Sequence, residues 1–232
     1  MRSVLSKLLP EDAVLSAEAA YDRAAPFYDG WKWQIFWRKA ELPYIIDGLQ
    51  MLGAFRGTAS ILDVGCGTGY FLNEIGPRFG QAAGIDVSDR MLARAYRRAP
   101  QHLFQKADAR GLPFAEQSFD VVLCTRVLSH IDRFEIALAE IKRALRPGGL
   151  LVMSNVDADH AYVHTKLPTA SGSVFAHTVK HSRQTIEREC EQFGLRKLTG
   201  ARILGDGEVE RDAQTVRSLA GVVGWTSFLV SE

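Results

Sequence analysis

The segment Ile61-Leu62-Asp63-Val64-Gly65-Cys66-Gly67-Thr68-Gly69-Tyr70-Phe71 constrains the fold of this chain more than any other. A short apolar run, broken by one acid, reads as a buried parallel strand, and the residues after Gly69 read as the opening of a helix. Glycines alternate at 65, 67 and 69 across the junction. Glycine lets the backbone turn tightly and lets a ligand approach bare peptide N–H groups at a helix start. A strand, a glycine turn and a helix in this order place a ligand at the end of a sheet strand.

The default occupant of such a turn is a dinucleotide, whose loop reads G-x-G-x-x-G. Here the spacing fails. Counted from Gly65 the third glycine falls on Tyr70, and counted from Gly67 it falls on Leu72. That third glycine serves close helix–strand packing, which neither side chain allows. Asp63 also argues against phosphate, since a carboxylate repels a pyrophosphate and attracts an ammonium or sulfonium. The loop is suited to a ligand that carries positive charge and a sugar.

The pattern resembles the first motif of the class I S-adenosylmethionine-dependent methyltransferases, an acid followed by G-x-G-x-G, and the resemblance continues in order. Gly84-Ile85-Asp86-Val87-Ser88 is similar to the family's second strand, which ends in the acid that binds both ribose hydroxyls. Asp86 follows Gly69 by about one helix and one strand, close to the ribose-acid offset of roughly 20 residues. Lys106-Ala107-Asp108-Ala109 with Leu112-Pro113-Phe114, then Ser118 to Cys124, then Leu145-Arg146-Pro147-Gly148-Gly149-Leu150-Leu151-Val152, resemble the third motif, the fourth strand and the turn into the fifth.

The chain has 232 residues, 47% hydrophobic and 24% charged, which suits one soluble α/β domain. A net charge of +1 gives no reason to expect nucleic acid or an anionic membrane as partner. Arg94, Arg97 and Arg98 sit at helix spacing and read as a solvated face. Cys66, Cys124 and Cys190 are too widely spaced for a metal motif or a disulfide framework, and Cys66 in the loop and Cys124 at a strand end read as small buried residues in a reducing cytosol. No apolar run is long enough to span a membrane, and the basic start Met1-Arg2 lacks the apolar core of a signal peptide.

Periodicity predicts helices over 11–25, ended by Pro26, and over 33–52, then strand 59–64, helix 69–79, strand 82–86 and helix 88–99 capped by Ser88. Strands 102–105 and 119–124, helix 133–145, strand 150–156, helix 183–193 capped by Ser182, and strands 195–203 and 225–230 follow. The last two strands are separated by a polar, partly helical segment. Residues 157–181 lack clean periodicity. Alternating strands and helices predict a doubly wound, Rossmann-like α/β fold with a mainly parallel sheet and helices on both faces. The resemblance implies seven strands, the last antiparallel. One domain is expected, with an N-terminal helical lid (1–55), a cofactor-binding core (56–156), a substrate cap (157–181) and a C-terminal helix and strands (182–232).

The resemblance implies S-adenosyl-L-methionine as cofactor, leaving S-adenosyl-L-homocysteine as product. The loop Gly65, Cys66, Gly67, Thr68 and Gly69 would cradle it, and Asp86 would accept from both ribose hydroxyls. Two roles are open for Asp63: holding the methionine ammonium, directly or through water, or fixing the loop. Asp108 would accept from the adenine amino group beside the Ala109 backbone. Val87 and Met91 either sandwich the adenine or belong to the core. Tyr21, Tyr28 and Thr125 are expected near the cofactor.

Tyr28, Trp31 and Trp33 are candidates to stack on a flat acceptor, with Arg126, His164 and His177 also facing it. His130, just beyond the fourth strand, is the candidate base. His160, His164, His177 and His181 lie in irregular sequence without a helper Glu, so no metal is expected. The expected reaction is methyl transfer to a small, aromatic or heteroaromatic metabolite. Methylation of RNA or protein, cofactor binding without methyl transfer, and nicotinamide oxidoreduction stand as alternatives. Monomer and homodimer are both open.

Overall fold

A computed structural model describes residues 14–212 and 222–232. A two-residue strand, β1 (Val14–Leu15), leads into α1 (Ala17–Tyr28) and α2 (Lys32–Met51). Strands and helices then alternate: β2 (Ser60–Val64), α3 (Tyr70–Ile75), β3 (Gln81–Asp86), α4 (Asp89–Arg98), β4 (Leu103–Lys106), β5 (Phe119–Thr125), α5 (Phe134–Ala144) and β6 (Leu145–Val156). A hairpin of β7 (Thr165–Thr169) and β8 (Gly172–Ala176) precedes α6 (Arg183–Gln192), β9 (Leu195–Leu204), β10 (Val209–Arg211) and β11 (Val222–Ser231).

The central sheet runs β10-β9-β11-β6-β5-β2-β3-β4. Strands β2 to β6 are parallel to one another, and β11 inserts antiparallel between β6 and β9. The chain enters at β2, walks outward to β4, and crosses back to β5 on the other side of β2. That reversal opens a crevice at the C-terminal ends of β2 and β5, where ligands of doubly wound sheets bind.

Strand β2 is buried along its whole length, as a strand covered on both faces must be. Alternate residues serve opposite layers. Ile61, Val121 and Leu123 join a core with Ile45, Leu49, Leu72 and Leu92 from α2, α3 and α4. Leu62, Val64, Val122 and Cys124 join a core with Leu138, Ile141 and Ile186 from α5 and α6. Helix α1 does something else. Its Ala20 and Ala24, both fully buried, seat on Leu167 and Ala176 of the hairpin, and β1 pairs in parallel with β8. Helix α1, β1 and the hairpin thus share a small core of their own, while α2 packs on the central sheet.

Several expectations change. The central sheet has one strand more than seven, because Val209–Arg211 pairs antiparallel with β9. Within 157–181, Thr165–Thr169 and Gly172–Ala176 form the hairpin; its strands are short and carry Pro168, Thr and Lys, so no alternation shows in the sequence. The first helix starts at Ala17 and runs through Pro26 to Tyr28. Pro26 sits in its last turn, where it removes a single backbone bond, and the buried Ala24 and Ala25 hold that turn in place. Helix 69–79 shortens to α3 followed by a 3-10 turn, Gly76–Arg78, around Pro77. The residues expected to begin the first helix, and part of the polar segment before the last strand, lie outside the described residues.

Candidate active site

A cavity of about 580 Å³ fills the crevice. Its floor is the C-terminal ends of β2, β3, β5 and β6; its walls are α1, α2, the loop after β4 and the hairpin. This is within the usual range of about 300–1,000 Å³ for small-ligand sites.

The three loop glycines do different work. A Cβ on Gly65 would lie 2.3 Å from Val127 Cγ2, so Gly65 lets the loop pass under that side chain. A Cβ on Gly69 would meet Ala95 Cβ at 2.9 Å, so Gly69 lets α3 start against α4. Gly69 thus supplies the close packing that the dinucleotide spacing would assign to its third glycine. Gly67 is open: its nearest neighbour would be Tyr28 at 4.0 Å, and it lines the cavity. All three have φ between +53° and +71°, which glycine alone adopts freely.

Asp86 ends β3. Its Oδ2 accepts from the Gly67 N–H (2.8 Å) and its Oδ1 from the Ser88 N–H (2.9 Å). Burial pushes its carboxyl up to about 6, against the pull of the Ser88, Gly67 and Val87 N–H groups. Each oxygen keeps a further lone pair for a ligand hydroxyl. Val87, Ala109 and Asp108 line the same end. The Asp108 carboxylate is already gripped by Arg110, through Nε (3.0 Å) and Nη2 (2.6 Å), and an adenine amino group would share it. Met91 is not brought to the cavity: it is fully buried in α4, its N–H bonded to the Ser88 cap.

Asp63, Cys66 and Thr68 lie behind the wall rather than in it. Asp63 is buried and neither oxygen has a partner; burial, then the Asp86 charge, pushes its carboxyl up to about 8. The Thr68 hydroxyl donates to Asp29 (2.7 Å) and accepts from Arg98 (2.6 Å). Asp29 stands between α1 and α2 and also pairs with Arg38, Arg94 and Arg98. Burial alone would raise Asp29, but the bonds from Arg98, Arg94, Thr68 and Arg38 hold its carboxyl well below the usual range. Two of the three arginines read as a solvated face therefore latch the lid to the glycine loop. Asp22 adds a second latch, accepting from Ser88 Oγ (2.6 Å) and the Arg90 N–H (3.1 Å) at the start of α4.

The other half of the cavity lies over β5, β6 and β11. Trp31, Trp33, Trp37 and Gln34 face it from the lid side, His160, Tyr162, His164 and His177 from the cap, and Thr125 and Arg126 from the end of β5. Trp33 stands edge-on to both Phe36 and His160. Arg126 has φ +59°, donates its N–H to Ser154 O (2.7 Å), pairs with Glu41 of α2 and stacks over Trp37. A positive φ on a bulky residue beside a cavity is backbone strain stored at a site.

Glu41, Gln34 and Trp37 were not among the candidate site residues. Glu41 had a signal: an acid in helical register with Trp37, Tyr44 and Ile45 on the buried face of α2. Asp29 had none, because its partners come from α2, α4 and the glycine loop.

His130 closes a 3-10 turn, Leu128–His130, and lines the cavity beside Tyr21. Its Nδ1 lies 2.8 Å from the His177 carbonyl, which can only accept, so Nδ1 carries the ring proton. Nε2 is then a lone pair, and it accepts from the Tyr21 hydroxyl at 2.9 Å. Burial lowers the pKa of His130 and raises that of Tyr21, so both are neutral near pH 7. His177 extends the line, its Nε2 3.0 Å from Asp132. Among the described residues no group of three or more His, Cys, Asp or Glu could hold a metal ion.

Residues 62–153 match the model of a family described as a methyltransferase domain. A malonyl-[acyl-carrier protein] O-methyltransferase of Enterobacter lignolyticus is 30% identical over 207 residues, 88% of this chain and 77% of that relative. The chain belongs to the class I S-adenosylmethionine-dependent methyltransferases. A demethylmenaquinone methyltransferase of Tropheryma whipplei is 32% identical to this methyltransferase over 129 residues, 55% of this chain and 51% of its own. A Thermotoga maritima protein described as a possible histamine N-methyltransferase shares the fold, with a TM-score of 0.65 at 18% identity over 93% of this chain and 99% of its own. The cofactor of this methyltransferase is S-adenosylmethionine. The site fits it: the open face of Gly67 and the carboxylate of Asp86, both lining the cavity, suit a bare backbone approach and a vicinal diol.

Proposed function

We propose that this methyltransferase transfers a methyl group to a small, planar, aromatic or heteroaromatic acceptor held over β5, β6 and β11. The observation that supports this reading is that Trp31, Trp33, Trp37 and Tyr162 all line the same cavity as Asp86. Flat rings stack on such surfaces and exclude water from the reacting centre. In this reading Gly65, Gly67, Asp86, Val87, Asp108 and Ala109 hold the cofactor, which supplies an electrophilic methyl on a sulfonium. Tyr21 and Tyr28 cover it from the lid, and the hairpin with His164 and His177 caps the acceptor. Alignment of the two reactants in one closed cavity contributes much of the acceleration, since oriented pairs gain roughly 7–11 kcal/mol.

Two measurements test it. Titration calorimetry with S-adenosylhomocysteine should show binding by wild type and a large loss in Asp86→Ala; unchanged affinity in the variant would overturn the site assignment. Transfer of radiolabelled methyl to a panel of hydroxy- and amino-arenes should exceed transfer to RNA or to protein. Tight cofactor binding with no transfer to any of the three would favour a role without methyl transfer.

A second reading rests on Arg126. A guanidinium on the acceptor side, over Trp37, suits an acceptor that presents a carboxylate or carbonyl oxygen. The relative that methylates malonyl-[acyl-carrier protein] makes an acyl carboxylate the test case. Loss of transfer to carboxylates alone in the double variant Glu41→Leu, Arg126→Met, which strands no buried charge, would support it. No helix among the described residues is long and apolar enough to cross a membrane. Three free buried cysteines suit a cytoplasmic protein.

A further inference from the structure

We propose that Tyr21 and His130 form a proton-relay pair in which the Tyr21 oxygen faces the acceptor and His130 Nε2 receives the proton behind it. This deepens, and rests on, the methyl-transfer reading above. The hydrogen-bond directions carry it. His130 spends its only N–H on the His177 carbonyl, and its one lone pair points at the Tyr21 hydroxyl. No free lone pair remains on His130 for an acceptor. Tyr21 spends its proton on His130 and keeps oxygen lone pairs for an incoming O–H or N–H, and both residues line the cavity. The geometry of the pair is built from three elements: Tyr21 from α1, His130 from the turn after β5, and the His177 carbonyl after β8.

The step balances. The acceptor O–H or N–H bond breaks and its proton passes to Tyr21 Oη, while the Tyr21 proton passes to His130 Nε2. The freed electron pair forms the bond to the transferred methyl, whose bond to sulfur breaks with its electrons left on sulfur. The sulfonium charge disappears as an imidazolium charge forms, so the cavity holds the same net charge before and after the step. This offsets the cost of placing a cation on a buried imidazole. Charged and titratable groups facing the pair are Tyr28, Asp86, Arg126, Tyr162 and His177. Tyr21 is the catalytic residue of the pair, and His130 is a positioning residue that acts through it.

The test uses 1-naphthol as acceptor probe and the wild type, Tyr21→Phe, His130→Gln and the double variant. Each single change should lower kcat near pH 7 by roughly 10²–10⁴-fold, and the double should fall no further, because the two act as one unit. The variants should regain rate as pH rises and the probe ionises, while the wild type stays flat. Full kcat in Tyr21→Phe, or multiplicative losses in the double, would overturn the pair. Turnover is not the only readout. Nitrogen-15 imidazole NMR of the S-adenosylhomocysteine complex should show His130 protonated at Nδ1, with its Nε2 resonance displaced in Tyr21→Phe. An Nε2–H tautomer, or an unmoved Nε2, overturns the pair even if 1-naphthol is not methylated; that failure alone would count against the acceptor class.

Discussion

Replacing Glu41 by Gln should destabilise this methyltransferase more than any other single change of comparable size. Glu41 is fully buried, and the Arg126 side chain paired with it is 13% exposed. Glutamine keeps the shape and removes the charge, so Arg126 is left as a buried cation without a counterion. Breaking a buried pair from one side costs about 3–5 kcal/mol. For a domain of this size each kcal/mol moves Tm by about 2–4 °C, so a fall of roughly 6–20 °C is expected. The pair itself is not a strong stabiliser, because Glu41 Oε1 has no partner at all. Glu41→Leu combined with Arg126→Met should therefore recover most of the loss, a recovery that a simple packing defect at position 41 would not show. Urea unfolding and thermal melts of the single and double variants read the two numbers directly. A loss under about 1 kcal/mol in Glu41→Gln, typical of an exposed pair, would refute the reasoning and show that water in the cavity solvates Arg126.

Other outcomes follow from the loop and the latch. Gly69→Ala should cost about 1–3 kcal/mol in unfolding experiments, because its Cβ meets Ala95 at 2.9 Å. Gly67→Ala carries the strain of φ +53° but meets nothing nearer than 4.0 Å, so it should cost less stability than Gly69→Ala while lowering S-adenosylhomocysteine affinity. Asp63 is an acid whose folded pKa, about 8, lies above its unfolded value. Its contribution is neutral below the unfolded pKa, where both states are protonated, and becomes unfavourable as pH rises toward 8. Asp63→Asn should therefore lose less stability than wild type between about pH 4 and 8 in melts across that range. A cationic cofactor arriving near Asp63 should drive its ionisation, so calorimetry near pH 7 in buffers of different ionisation enthalpy should detect proton release that Asp63→Asn lacks. Asp29→Ala leaves Arg38, Arg94 and Arg98 facing one another without their acid. Faster hydrogen exchange in α1 and weaker cofactor binding are the expected results, and protection equal to wild type would exclude the latch.

Much of the core was legible because it is written locally. The strand of Ile61–Val64, the alternating glycines, Asp86 at a strand end and Ser88 at a helix start each depend on neighbours a few residues away. Their backbone hydrogen bonds and side-chain spacing are properties of a short segment. The same locality misled at Pro26, where the local rule predicts a stop. Burial of Ala24 and Ala25 outweighs one missing bond. It also hid the hairpin, whose short, half-polar strands hold together through α1 and β1 rather than through their own pattern.

From sequence alone, the chain determined its α/β alternation and its glycine turn at the end of a strand, and the resemblance of its ordered motifs supplied the methyl donor, because each motif is a short segment whose pattern is written locally. Only the tertiary structure decided what each side chain is free to do. Asp63 is left without partners, Arg126 is matched to Glu41 across 85 residues, Asp29 binds three arginines, and His130 Nε2 meets the Tyr21 hydroxyl across 109 residues. The physical reason is that protonation, pairing and the direction of a lone pair depend on neighbours brought together by folding. No residue carries that information in its own segment.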